Sequence, residues 1–153
     1  MIVKIIDNFL DDKDCQQLID FFESNTNLQE PYYSTIKVSI ETLDKFNNLF
    51  EKLNKESLTI KNSVLDWTQI VKWPDNSGQG SHLDISSDDN LSHTSICYLN
   101  DGYLGGQTYF EEGTIFKPKK GRIIFFDSLF YRHGVTPVKK GPRYTLATWY
   151  KKI

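Results

Sequence analysis

Beyond about residue 60 the hydrophobic period of this chain drops from three-and-four to two, and that change limits the folds open to it. Val64–Lys72, Thr94–Leu99, Gln107–Phe110, Thr114–Lys117, Arg122–Phe126, Val135–Val138 and Tyr144–Tyr150 are short and rich in β-branched or aromatic residues. Turn-forming clusters separate them: Pro74-Asp75-Asn76-Ser77-Gly78, Asn100-Asp101-Gly102, Gly105-Gly106, Glu112-Gly113, Lys120-Gly121 and Gly141-Pro142. Many short strands at near-regular spacing predict a sandwich or barrel. The N-terminal part reads differently. Residues 2–6 predict a strand, and a helix follows, starting at Asp11 or Asp12, whose short acidic side chains cap free amides. Cys15, Leu18, Ile19 and Phe22 form its apolar stripe. Asn25 to Glu30 reads as a polar loop. A second helix is predicted over Ile40–Lys55, where Ile40, Leu43, Phe46, Phe50 and Leu53 recur at helical steps. The expected class is α+β and mostly β: a double-stranded β-helix, or jelly roll, with two N-terminal helices packed on one outer face. One domain is expected over 1–153, with 1–60 supporting a core at 64–153.

Composition narrows the function classes. The chain is 39% hydrophobic and 25% charged, as for an ordinary soluble protein, and its 14% aromatic content suits a sheet-rich core with an apolar pocket. A net charge of -2 supplies no global field for nucleic acid. Lys117, Lys119 and Lys120 read as a solvated turn. Two cysteines, Cys15 and Cys97, are too few for a secreted disulfide scaffold and read as reduced packing residues. Met1 leads straight into the strand-like Ile2–Ile6, and no 18-residue apolar run occurs, so the expectation is a soluble, cytoplasmic protein with no membrane partner.

The chemistry-bearing residues are few. His82-Leu83-Asp84 places an imidazole and a carboxylate two residues apart, and strand alternation would put both on one face. Three His and 13 Asp make about 0.25 such tripeptides expected by chance, so the motif needs support. His133, 49 residues after Asp84, supplies it from another strand. Two histidines and one carboxylate on one face leave open coordination positions, the pattern of non-haem Fe(II) sites. The flexible stretch Trp73–Ser81 places His82 and Asp84 at a strand start on the rim of a barrel mouth. His93 has no carboxylate at strand spacing and reads as structural. Arg143 opens an otherwise apolar strand, and Thr145 faces the same side. A guanidinium and a hydroxyl pointing into a barrel call for an anionic partner, and a dicarboxylate fits.

In that order, these residues resemble the Fe(II)- and 2-oxoglutarate-dependent dioxygenases, specifically the prolyl 4-hydroxylase-like branch. Ile6-Asp7-Asn8-Phe9-Leu10 and Cys15 look like that branch's first strand and helix, and Trp73-Pro74 through Asp84 like its first ligand segment. Ser95-Ile96-Cys97-Tyr98-Leu99-Asn100 is similar to its Tyr-Leu-Asn strand. Gly105-Gly106-Gln107-Thr108-Tyr109-Phe110 is similar to its Gly-Gly-Glu-Thr-X-Phe element, and Pro118–Arg122 with Phe125-Phe126 to its approach to the distal histidine. Arg143-Tyr144-Thr145 is similar to its basic-X-Ser/Thr motif. The resemblance implies His82, Asp84 and His133 as iron ligands. It implies Arg143, with Thr145 and Tyr98, as the partner of the distal carboxylate of 2-oxoglutarate. Trp73 stands where relatives carry Tyr, and its indole N–H can donate to the co-substrate but not accept. Gln107 stands in place of Glu.

The resemblance further implies hydroxylation of an unactivated C–H, with a peptidyl proline as substrate, O2 as co-substrate, succinate and CO2 as products and ascorbate as a candidate reductant. A protein or peptide partner is implied. Phe110, Phe126 and Trp149 are candidates to line the pocket, and Arg132, Tyr103 and the Ile85–Leu91 loop to stand near its mouth. Two alternatives share the pattern. A nucleic-acid demethylase would carry a second Arg six residues after the first, where this chain has Trp149. A cupin-like metal module without oxygenase activity would have to recruit His93.

Overall fold

A computed structural model describes residues 2–84 and 89–153, without the side chains of Ile2 and Val3. Strand β1 (Ile2–Ile6) leads into helix α1 (Asp12–Ser24), which Asp11 caps by accepting the Asp14 N–H at 2.7 Å. Hairpin β2 (Glu30–Tyr32) and β3 (Thr35–Ser39) follows, then helix α2 (Asn47–Leu58). The remaining strands are β4 (Ser63–Trp73), β5 (Gln79–His82), β6 (Leu91–Tyr98), β7 (Leu104–Gly105), β8 (Thr108–Phe110), β9 (Ile115–Phe116), β10 (Ile123–Phe126), β11 (His133–Val135), β12 (Val138–Lys139) and β13 (Arg143–Lys152).

All strand pairs among the described residues are antiparallel. The large sheet runs β1-β10-β6-β13-β4-β3-β2, a four-stranded sheet runs β5-β11-β8-β9, and β12 pairs with β7. The large sheet is buried on both faces, and strand alternation sorts its residues between them. On β13, Tyr144, Leu146 and Tyr150 join Cys15, Leu18 and Phe22 of α1 and Leu53 of α2 in a sealed apolar core. Arg143, Thr145, Ala147 and Trp149 turn the other way, into a cavity between the sheets. Strand β4 divides likewise, with Ile70 in the core and Gln69, Val71 and Trp73 in the cavity. The helices therefore close one face of the large sheet, and the four-stranded sheet covers the other.

Several boundaries differ from those predicted, each for a physical reason. The helix predicted over Ile40–Lys55 begins only at Asn47, after a 3-10 turn at Asp44–Phe46. The Ile40 N–H instead donates to the Thr68 carbonyl at 3.0 Å, extending the pairing of β3 with β4. Ile40 and Leu43 reach the same core as the helix, so their spacing imitates a helical stripe. The β2–β3 hairpin turns at Tyr33-Ser34, with Tyr33 at φ 51°, and so lacks the Asn-Gly or Asp-Gly signal. The strand predicted over Val135–Val138 is two strands, β11 and β12, in different sheets. Lys119 and Lys120 pair with Asp7 and Asp12, as a solvated turn should. Among the described residues, no helix is long and apolar enough to cross a membrane.

Candidate functional site

His82 and His133 face each other directly across the β5–β11 ladder, so the register of two strands brings the imidazoles together. Their ring centroids are 4.3 Å apart. Asp84 follows β5 in the chain, and its Oδ1 lies 3.4 Å from the Nε2 of each histidine. His82 ends a strand and Asp84 lies beyond it, so the predicted strand start and shared strand face are both corrected. The convergence survives because the chain turns after His82 and the Asp84 N–H donates to the Ser128 carbonyl at 2.9 Å.

The tautomers follow from the backbone. His82 Nδ1 lies 2.9 Å from the Gly80 carbonyl, and His133 Nδ1 lies 3.0 Å from that of Tyr131. A carbonyl only accepts, so each Nδ1 carries a proton and a neutral ring offers its Nε2 lone pair. Two lone pairs and a carboxylate oxygen then converge on one point, with ligand atoms all within 4.8 Å of one another. Such a cluster requires a cation at its centre, a metal ion or a proton. The Asp84 pair raises the affinity of His82 for a proton against the opposing effect of burial. Burial opposes the charged form of Asp84, but hydrogen bonds from His133 and His82 hold its carboxyl well below the usual range.

The second oxygen of Asp84 is committed elsewhere. Its Oδ2 accepts from Trp149 Nε1 and from Thr94 Oγ1, both at 3.1 Å. Thr94 is held in turn by Ser128 Oγ at 2.5 Å. This leaves Oδ1 facing the histidines and favours single-oxygen coordination. Groups that orient a ligand in this way typically change metal affinity about 10- to 100-fold.

The triad opens into a cavity of about 810 Å³, within the range of small-molecule sites. At its inner end is Arg143, 2% exposed. Its Nε donates to the Gly106 carbonyl at 2.9 Å and its Nη2 to Thr108 Oγ1 at 3.3 Å. Its guanidinium carbon lies 4.8 Å from the Trp73 ring centroid and 5.4 Å from that of Tyr98. Among the described residues no carboxylate pairs with it. A buried charge without a counter-ion costs several kcal/mol, on the order of what an anionic ligand returns. The Trp73 indole N–H is a second unmet demand: it is buried with no partner among the described residues, in a residue that lines the same cavity. Two unmet donors beside a three-ligand cluster fit a molecule with a carboxylate at one end and metal-chelating oxygens at the other.

The remaining predicted residues divide between the cavity wall and its surroundings. Thr145, Phe126 and Trp149 line the cavity. Phe110 does not; it packs edge-on against Phe126, 5.3 Å away, behind His133. Tyr98 is buried with its hydroxyl on Thr108 Oγ1 at 2.5 Å, so it reaches the cavity only through Thr108. Tyr103 is corrected: it does not line the cavity and stands instead against Gly106 and Arg143. Arg132 is exposed and close enough to His82 to oppose its protonation. Residues 85–88 of the Ile85–Leu91 loop lie outside the described residues, while Leu91 lines the cavity.

Sequence reasoning missed Thr94, Thr108, Trp67 and the hairpin residues Tyr32 and Tyr33, all of which line the cavity. Thr108 alone had a signal, as part of the Gly-Gly-Gln-Thr element. That element also explains its glycines. Gly105 and Gly106 have φ of +64° and +60°, and a Cβ on Gly105 would fall 2.0 Å from the Pro137 carbonyl oxygen. His93 sits apart, stacked on Tyr150 in the sealed half of the molecule, so a three-histidine cluster is not formed.

Comparison with known proteins agrees with this geometry. Residues 68–151, more than half of the chain, match the family model of the 2OG-Fe(II) oxygenase superfamily, and the chain belongs to that superfamily. No curated protein matches it significantly. Among solved structures it is similar to a prolyl-4-hydroxylase from Pseudomonas putida, with a TM-score of 0.81 and 18% identity over 98% of this chain and 92% of that one. It is also similar to a viral collagen prolyl hydroxylase from Paramecium Bursaria Chlorella virus-1 in complex with 2OG (TM-score 0.75, 23% identity, 98% and 95% covered). A third is a prolyl hydroxylase from Trichoplax adhaerens in complex with a hypoxia inducible factor oxygen degradation domain peptide fragment (TM-score 0.74, 20% identity, 97% and 83% covered). The fold is the mostly β jelly roll of these enzymes, and the family and the His-Asp-His cluster together imply Fe(II) and 2-oxoglutarate.

Proposed function

We propose that this chain is an Fe(II)- and 2-oxoglutarate-dependent hydroxylase acting on a proline within a peptide or protein. One observation carries the reading: a three-ligand metal cluster and a buried Arg143 that no carboxylate among the described residues answers share a single cavity. His82 Nε2, Asp84 Oδ1 and His133 Nε2 would hold the iron. Bound iron and co-substrate supply the oxidising power: O2 and 2-oxoglutarate become succinate, CO2 and one hydroxyl group placed on a substrate carbon.

The residues of the chain supply position. Arg143 pairs with the distal carboxylate, and Thr145 and the Trp73 indole N–H add donors. Tyr98 supports this end through Thr108. Trp149 and Thr94 hold the free oxygen of Asp84 and so keep the ligand set open on its far side. Phe126, Val135 and Ala147 exclude water from the cavity wall. For the substrate, Trp67 and Trp149 stack 4.3 Å apart on the wall, and Tyr32 and Tyr33 stand on the hairpin that borders it. Aromatic faces of this kind suit a pyrrolidine ring on an extended peptide. The prolyl hydroxylase identity of the structural neighbours supports the same substrate class. Ascorbate would serve as a reductant that restores Fe(II).

The test is anaerobic addition of Fe(II) and 2-oxoglutarate. A visible charge-transfer band is expected, absent in His82→Ala and Arg143→Ala. Folded wild type with neither band nor succinate production would sink the oxygenase reading. Succinate formation without hydroxylation of any proline-rich peptide would leave the oxygenase and sink the proline.

A further inference from the structure

Tyr103 carries a buried hydroxyl that completes no hydrogen bond among the described residues, and the donor nearest to serving it is the Arg143 guanidinium. An unsatisfied hydroxyl is costly to bury, so such a group calls for an explanation. Its surroundings supply one. A Cβ built on Gly106 would lie 2.8 Å from Tyr103 Cε2 and 3.0 Å from Arg143 Cδ, so the phenol ring, the Gly106 backbone and the arginine stem are in mutual contact. Arg143 itself is only partly satisfied: of its several N–H donors, Nε is taken up by Gly106 and Nη2 by Thr108. Burial raises the Tyr103 phenol far above its ordinary pKa, while the nearby Arg143 charge acts in the opposite sense. The hydroxyl therefore stays neutral, an acceptor for a guanidinium N–H. A phenylalanine would fill the same space without that capacity.

We infer that Tyr103 is a positioning residue of the co-substrate site. With the distal carboxylate of 2-oxoglutarate bound, its hydroxyl takes up a guanidinium N–H of Arg143 and fixes the fork toward that carboxylate. The inference rests on the assignment of the cavity to 2-oxoglutarate. It assigns Tyr103 no contact with the metal or with substrate, since Tyr103 does not line the cavity. Gly106 belongs to the same device, because any side chain there would enter the space shared by Tyr103 and Arg143.

The experiment compares Tyr103→Phe with wild type, using two keto acids of equal length. One is 2-oxoglutarate. The other is 2-oxopentanoate, which has a methyl group where 2-oxoglutarate has its distal carboxylate. Binding is read anaerobically by titrating the charge-transfer band with Fe(II), and by calorimetry with Mn(II) in place of iron. Tyr103→Phe should weaken 2-oxoglutarate roughly 10-fold, the size of one lost hydrogen bond to a charged group. It should leave 2-oxopentanoate and metal affinity unchanged. The ligand-free variant should melt close to wild type, because the hydroxyl completes no hydrogen bond in the free protein. Equal weakening of both keto acids would mark Tyr103 as general packing and overturn the inference. Unchanged 2-oxoglutarate affinity would overturn it as well, with the co-substrate reading left standing. A wild type that binds neither keto acid would remove that reading, and this inference with it.

Discussion

The molecule holds its histidines in two settings, and the contrast between them separates structure from function. His93 lies in the sealed half. Its Nδ1 is 2.9 Å from Ser92 Oγ, its Nε2 is 3.4 Å from Ser57 Oγ, and its ring stacks on Tyr150 at 4.6 Å. Both nitrogens are answered by hydroxyls, which can donate or accept as the tautomer requires. In the cavity half, His82 and His133 each spend one nitrogen on a carbonyl and leave the other facing Asp84. Arg122 and Arg143 repeat the contrast. Arg122 is paired with Asp7 at 2.6 Å, near the surface. Arg143 is buried, and among the described residues no carboxylate answers it. Burial alone therefore does not mark the site. What marks it is bonding capacity that the protein has desolvated and left unanswered.

The largest effects should come from closing that open capacity. His133→Ala or Asp84→Ala should abolish iron binding and succinate production, down to the background of free Fe(II), as measured by metal content after dialysis and by the charge-transfer band. His93→Gln, in the answered cluster, should leave metal content intact; loss of metal there would erase the distinction between the halves. Next in size is Arg143→Met. It should weaken 2-oxoglutarate by about 100-fold or more, since it removes a charge-assisted pair. It should also raise the melting temperature of the ligand-free protein, because an unpaired buried charge is replaced by an apolar chain. A lowered melting temperature would show that Arg143 is already satisfied. Smaller again is Trp149→Phe, which keeps an aromatic ring but frees Asp84 Oδ2 from one donor. Iron affinity should fall about 10-fold by competition with a colorimetric chelator. No change would mean that Thr94 alone fixes the carboxylate.

Legibility from sequence followed the same division. The sealed half was readable as a core through Cys15, Leu18, Phe22 and Leu53, but its boundaries were blurred. Ile40 and Leu43 contact the same core from a strand end and a turn, and spacing cannot distinguish those from a helix. The β2–β3 hairpin escaped because its turn carries Tyr33-Ser34 and not a glycine signal. The metal ligands were readable because the chain has only three histidines and one of them stands two residues from a carboxylate. Their mutual register was not: His82 opposite His133 is a property of ladder pairing across 51 residues of chain. Thr94 and Thr108 were invisible for a different reason. A threonine in a strand is ordinary by propensity, and only the folded sheet shows that one hydroxyl meets Asp84 and the other meets Arg143. Tyr103 was misplaced at the mouth because the sequence does not show that the Gly105-Gly106 turn folds it back over the arginine.

The smallest effect concerns the answered histidine and its response to acid. Burial is the main cause that lowers the His93 pKa from 6.5 to about 4, with the Lys61 charge adding to it. Unfolding releases the ring to water, where it protonates near 6.5. Between those two values the unfolded chain therefore binds a proton that the folded chain refuses. Stability from this group is complete above pH 6.5 and is lost progressively as pH falls toward 4. The shift sets an upper bound of about 3 kcal/mol on this contribution. Urea unfolding at about pH 7.5 and about pH 5 should show the drop in wild type, and His93→Gln should remove most of it at whatever baseline stability that variant has. If the variant keeps the full acid sensitivity, the titrating group lies elsewhere. His82 could not be that group, since it gains proton affinity from Asp84 and so stabilises the fold as pH falls.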